Sequence, residues 1–175
     1  MILKTPRLIL RPYKGTDEKE LVKKINNINV VKWLEVVPYP YTIKDAKYFL
    51  NSTKKKKNNL SFAITLKKEL IGGISLRNIN NYSGTADTGY WLAQDYWKKG
   101  YGSEALKAVL DYAFKKLKLQ RVEAIVYTGN PASGKLLQKF GAKLEGTKRK
   151  ASRCKSTGKV HDELMYGILR EEYEE

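Results

Sequence analysis

Tyr96-Trp97-Lys98-Lys99-Gly100-Tyr101-Gly102-Ser103-Glu104-Ala105 stands between a strand-like run and the clearest helical pattern in the chain. The two glycines carry no side chains, so backbone there can approach a ligand closely. The helix that follows, predicted over Gly102–Leu117, offers unsatisfied N–H groups and the positive end of its dipole at the first turn. Together these make an anion site. Lys98 and Lys99 add point charge, and the chemistry implied is binding of a pyrophosphate around Trp97–Ser103. The residue order excludes a Walker loop, which needs Lys and Ser/Thr after its second glycine. The missing third glycine excludes a dinucleotide fingerprint.

Outward from this turn the apolar periodicity gives the remaining elements. Upstream, Thr85–Ala93 reads as a strand, and Leu60–Leu66 and Leu70–Leu76 read as a hairpin turning at Lys67-Lys68-Glu69. Further back, Arg7–Arg11 alternates as a strand. A helix follows, capped at Thr16 or Asp17, with Leu21, Val22, Ile25 and Ile28 as its apolar stripe. Trp33–Tyr41 contains Pro38 and Pro40 and cannot be a regular helix. Thr42 caps a second helix, buried along Ala46, Phe49 and Leu50 and ending in the run Lys54–Lys57. Downstream come a strand Arg121–Tyr127, a short helix Ala132–Phe140, and strands Lys143–Ala151 and Val160–Leu169, the last two joined by a basic loop. This order describes a mixed α/β sheet protein, read as one domain over 1–175.

Composition narrows the function. Lys+Arg total 34 against 18 Asp+Glu, a net charge of +16, so the field attracts anions: phosphates, nucleic acid or an acidic protein. A lysine-rich solvated surface is the plainer explanation, and for the Lys54–Lys57 run it is preferred to a nucleic-acid patch. One cysteine, Cys154, allows no internal disulfide, and one histidine, His161, leaves a His/Cys metal site almost nothing to build with. No metal and no membrane association are expected. The opening MILKTPRLIL is too short and too charged for an export signal, so the expected location is cytoplasmic.

The stretch also resembles the GNAT acetyltransferases, whose acetyl-CoA motif is Gln/Arg-x-x-Gly-x-Gly/Ala at a helix start. Trp97 replaces the first residue here. Tyr96 to Ala105 instead resembles the Tyr-Trp-x-x-Gly-x-x-x-Glu-Ala of the branch that acetylates ribosomal-protein amino termini (RimJ/RimL-like). Ala86–Leu92, Asn130-Pro131-Ala132-Ser133, Leu137–Ala142, Leu144-Glu145-Gly146, His161-Asp162 with Met165-Tyr166, and the opening Thr5–Arg11 are similar to that branch, in order, over nearly the whole chain. The resemblance implies a GNAT fold: a central mixed, mostly antiparallel sheet of about seven strands flanked by four helices. It implies acetyl-CoA as acetyl donor and direct transfer to a primary amine with no acyl-enzyme, so Cys154 is not needed as a nucleophile.

It further implies that Thr85–Ala93 splays from Arg121–Tyr127 and that the pantetheine lies in the gap, bound by backbone near Trp91, Leu92 and Ala93. The N–H of Leu92 is the candidate for polarising the acetyl oxygen, Asp87 the candidate base through a water, and Ser133 the proton donor to sulfur. Ser133 could instead serve only as a helix cap. Leu137 stands where other branches place a tyrosine. Asn130 would fix the pantetheine or a water, and Lys135 and Lys139 would reach phosphates or solvent. Trp33, Tyr39 and Tyr41 would line the acceptor side with Asp87. Ser152 stands where the branch has a glutamate proposed as base, which leaves Glu35, Asp162 and Glu163 as reserves. The acceptor is expected to be a protein amino terminus such as that of a ribosomal protein, with the ribosome or an acidic protein as wider partner. Alternatives are a small amine (amino sugar, antibiotic or polyamine) or an inactive basic RNA- or ribosome-binding module. A homodimer is an open option.

Overall fold

The computed structural model describes residues 1–55 and 57–174, without the side chains of Lys55 and Glu174. Of the Lys54–Lys57 run, Lys56 therefore lies outside the described residues. In chain order the elements are β1 (Leu3–Lys4), β2 (Leu8–Pro12), α1 (Glu18–Ile25), α2 (Ile28–Val31), α3 (Ile43–Lys55), β3 (Leu60–Leu66), β4 (Glu69–Asn80) and β5 (Thr85–Leu92). They continue with α4 (Tyr101–Asp111), β6 (Arg121–Tyr127), α5 (Pro131–Gln138), β7 (Lys143–Arg153), β8 (Val160–Leu169) and α6 (Arg170–Glu174). Among the described residues the sheet has eight strands in the order β1-β2-β3-β4-β5-β6-β8-β7. Every neighbouring pair is antiparallel except β5–β6.

The expected seven strands are present, and Leu3–Lys4 is added as a two-residue edge. The β3–β4 hairpin turns through Lys67 (φ +48°) and Lys68 (φ +76°), the double left-handed geometry that suits strand twist. Two apolar clusters hold the helices to opposite faces of the sheet. One packs α4 through Ala105, Leu106, Val109 and Leu110 against Leu8, Leu10, Ile64, Ala86, Val122 and Ile168. The other joins α1 and α3 through Leu21, Ile25, Ala46 and Leu50, with Val31, Tyr41, Tyr13, Trp91 and Trp97.

Three expectations need correction. Asp17 does not cap α1: it closes a short 3-10 turn over Gly15–Asp17 and is 4% exposed. Its carboxylate accepts from Arg11 at 2.8 Å through both oxygens and from the Lys14 N–H at 2.7 Å. Ile28 is not on the α1 stripe, because the chain leaves the helix at Asn26 and restarts at Asn27, whose side chain caps α2. The long helix begins one residue early, at Tyr101, and widens into a π turn over Tyr112–Lys116. Thr42 and Asp45 do cap α3, each accepting the other's backbone N–H.

Candidate active site

β5 and β6 pair for only three residues, Thr85↔Arg121, Ala86↔Val122 and Asp87↔Glu123, although both strands run on to Leu92 and Tyr127. The sheet therefore opens into a wedge. On its β5 wall the register is informative. Leu92 lies opposite Gly72, and the Ala93 N–H donates to Ile71 O at 2.9 Å, so the N–H and C=O of Leu92 point away from β4, into the wedge. Strand alternation turns the backbone of Tyr90 the same way. The Leu92 carbonyl accepts from the Trp97 indole at 2.8 Å. Trp97 thus ties the end of β5 to the glycine turn.

The turn reaches α4 through Gly100 at φ +80°, a left-handed conformation that favours glycine. The Glu104 N–H is bonded to Gly100 O at 3.0 Å, so the N–H groups of Tyr101, Gly102 and Ser103 precede the helix's own ladder. A β-carbon on Gly102 would stand 3.3 Å from Leu136 and 3.5 Å from Leu92, so this turn, β5 and α5 converge on one point. Arg7, expected at the start of a strand within the Thr5–Arg11 opening, lies just before β2 and holds the turn in place. Its guanidinium donates to Glu104 at 2.6 Å and to Lys99 O at 3.0 Å, and it lies 4.5 Å from the Tyr101 ring centre. Thr5 and the Arg7 N–H also donate to Glu104, at 2.6 and 2.8 Å. Burial pushes the Glu104 carboxyl up, and these bonds from Thr5 and Arg7 more than offset it, leaving the group below the usual range. The signal was the pairing of an acid in the first helical turn with an N-terminal Thr-x-Arg, which no local pattern links.

Across the wedge, Asn130 caps α5 by accepting from the Ser133 N–H at 3.3 Å. Capping belongs to Asn130, and the Ser133 hydroxyl instead sits 2.8 Å from the hydroxyl of Tyr90, a residue the sequence did not single out. Tyr90 also donates to Ser133 O at 3.2 Å. Burial pushes the Tyr90 phenol up to about 12, against the pull of the Ser133 bond, so it keeps its proton at neutral pH. Gly134 lets the Tyr166 ring approach α5 closely, since a β-carbon would lie 2.7 Å from the Tyr166 hydroxyl and force it to shift.

The remaining expected residues divide. Trp33 lies over the β6–α5 loop, 3.3 Å from where a β-carbon of Gly129 would be, and Tyr39 is exposed nearby in sequence. Tyr41 is 6% exposed within the α1–α3 core, and burial pushes its phenol up to about 12; it supports the aromatic segment from beneath and offers no face to an acceptor. The Trp91 side chain joins the same core. Lys98, Lys135 and Lys139 are exposed, and the Lys99 ammonium is turned back to Asp95 O at 2.7 Å. Asp87 accepts from Asn78 at 2.6 Å and lies five strand residues from Leu92, roughly 16 Å at a strand's rise. A proton path from an amine at the Leu92 N–H to this carboxylate would therefore run through a chain of waters. Asp162 accepts from the Lys150 N–H at 2.7 Å, Glu163 is 7% exposed beside Tyr127, and Glu35 is exposed on the aromatic segment. Cys154 is buried, its sulfur 3.5 Å from Lys32 O. Among the described residues no cluster of His, Cys, Asp and Glu could hold a metal, and no helix is long and apolar enough to cross a membrane.

A wedge in a sheet, a helix N-terminus beside it and a Tyr–Ser pair opposite suit a long anionic thioester. Comparison with known proteins agrees. Residues 7–143 match the sequence profile described as "Acetyltransferase (GNAT) domain". The chain is similar to the uncharacterized N-acetyltransferase YnaD of Bacillus subtilis (34% identical, 99% of each chain covered). It is similar to the uncharacterized N-acetyltransferase p20 of Bacillus licheniformis (31% identical, 98% of this chain and 97% of that protein). A GNAT-family acetyltransferase from Bacillus anthracis superposes with a TM-score of 0.85 at 28% identity, covering 98% and 99% of the two chains.

Proposed function

The chain belongs to the GNAT acetyltransferase family, and on that premise we propose that it transfers the acetyl group of acetyl-CoA to the amino terminus of a protein. The observation that carries the reading is the α4 N-terminus opening on the β5–β6 wedge. Acetyl-CoA supplies an activated acyl carbon; the protein supplies the rest. The N–H groups of residues 101–103 bind the pyrophosphate, with Lys98 adding charge. Backbone of Tyr90 and Leu92 pairs with the pantetheine, and the Leu92 N–H polarises the carbonyl as charge develops on its oxygen. Ser133, bonded to Tyr90, protonates the sulfur. The chain works as one domain.

Three things support a protein acceptor. Trp33 and the exposed Tyr39 offer ring faces to an extended peptide. The net charge of +16 disfavours a polycation such as a polyamine and favours an acidic protein or the ribosome. The ribosomal-protein-serine acetyltransferase of Escherichia coli is 33% identical over 90 residues, 51% of this chain and 50% of that protein. The test is acceptor-dependent thiol release from acetyl-CoA over a panel of free-amine peptides, amino sugars and polyamines. Release with peptides led by a small residue is expected. Release only with small amines moves the substrate class, and no release with any of them removes the enzymatic reading.

A further inference from the structure

We propose that His161, the chain's single histidine, is the base that takes a proton from the acceptor amine. The proposal rests on the acetyl-transfer reading above and names a base nearer the open end of the wedge than Asp87, which sits where β5 and β6 are paired. His161 lies on β8, on the sheet face opposite α4, with its ring stacked flat on Tyr127 (centroids 4.3 Å apart, planes at 5°). Its Nε2 is buried and has no hydrogen-bond partner among the described residues. A buried ring nitrogen without a partner is destabilising and calls for an explanation, and in the tautomer that leaves Nε2 unprotonated an arriving ammonium is a partner of the right kind.

Position agrees with that role. Tyr127 is the last residue of β6, at the wide end of the wedge. Its carbonyl accepts from Asn130 at 2.8 Å, and Asn130 in turn holds the Ser133 N–H. One residue before Asn130, Gly129 lies under Trp33. The imidazole is therefore stacked on the residue from which the chain runs on to both Gly129 under Trp33 and Ser133. The ring's orientation is fixed by the Tyr127 stack, and Tyr127 accepts from Ser152, the residue opposite His161 on β7, at 3.3 Å.

The titratable groups around the stack are few. Glu163 lies opposite Tyr127 in register and is buried; Glu35 and Cys154 also act on the Tyr127 phenol. Asp162 is held by the Lys150 N–H, and the Arg153 guanidinium is turned to Gly158 O at 2.7 Å.

The proton balance closes. The ammonium gives one proton to Nε2, and the imidazole releases it to solvent. The amine then attacks, the carbon–nitrogen bond forms and the carbon–sulfur bond breaks as Ser133 protonates the sulfur. The second nitrogen proton leaves to water as the amide forms and water reprotonates Ser133, so ammonium and thioester give amide, thiol and one proton.

A single histidine makes the test direct. Proton NMR of the wild-type enzyme follows the one imidazole through a pH titration without any substitution. In parallel, kcat/KM is measured against pH with an alanine-led tripeptide, or with whichever panel amine is acetylated. The imidazole midpoint and the acidic limb of kcat/KM should coincide, since that profile reports the free enzyme. His161→Gln should bind acetyl-CoA as the wild type does, lose about 100-fold in kcat/KM with that limb, and recover part of the rate with added imidazole. Tyr127→Phe, which keeps the stack, should retain the limb. An imidazole midpoint well apart from the limb, or a limb that persists in His161→Gln, overturns the proposal while leaving acetyl transfer intact. Absence of acceptor-dependent release in the wild type removes both.

Discussion

At the scale of single residues, the site depends on positions where an added atom has nowhere to go. Gly102 faces Leu136 and Leu92 at the turn proposed to take the phosphate. Gly102→Asp should therefore fold but lose the coenzyme: acetyl-CoA should raise the melting temperature of the wild type and leave the variant's unchanged. Ser133→Ala should lower kcat by about 100-fold, the usual range for one acid–base group, with acetyl-CoA affinity nearly unaltered; a wild-type kcat would assign the proton to Tyr90 or water. Asp87→Asn should leave the acidic limb of the pH profile in place, because its carboxylate serves Asn78 at the closed end of the wedge. The glycines were singled out by their place before a helix and Ser133 by the resemblance alone, and the structure sets both beside the wedge. Tyr90 and His161 were not singled out, because what distinguishes them is a neighbour reached across the sheet: Ser133 for one, Tyr127 for the other.

At the scale of elements, the strands were readable to within a few residues, since two-residue alternation and turn residues are local signals. β6 and β8 run over the ranges the pattern predicted. Helix starts were less readable where a side chain had a better partner elsewhere. Asp17 looks like a cap in the sequence, but Arg11 from β2 claims it and anchors the turn before α1. Burial pushes the Asp17 carboxyl up, but bonds from Arg11 and Lys14 outweigh it and leave the group below its ordinary value. Asp17→Asn should cost about 3 kcal/mol, the lower end for breaking a buried pair, or roughly 6–12 °C in Tm at this chain length. The folded-state value lies below the unfolded value of about 3.9. The contribution is therefore complete above that pH and disappears as pH falls through the folded-state value. Denaturant unfolding should show a full deficit for the variant at neutral pH that narrows in strong acid. A deficit independent of pH would place the loss in packing.

At the scale of the whole molecule, the sheet and two helical layers bring the Thr5–Arg7 opening, the α4 turn and the α5 cap to one end of a wedge, though Thr5 and the Glu104 it bonds are 99 residues apart in the chain. That convergence is a property of topology, and the sequence disclosed it only through the ordered resemblance of motifs. The charge of +16 was plain from composition, but it ranks acceptors without choosing one. With an acidic peptide as acceptor, kcat/KM should fall as salt rises from about 0.05 to 0.5 M, because screening shortens the range of the field; a neutral peptide should show little change. Everything rests on the α4 N-terminus and the wedge receiving a thioester of coenzyme A. The most direct measurement is calorimetric titration of acetyl-CoA into the folded wild-type protein. Saturable one-to-one binding, competed by free coenzyme A, is the predicted result, and a folded protein that binds neither would contradict the account.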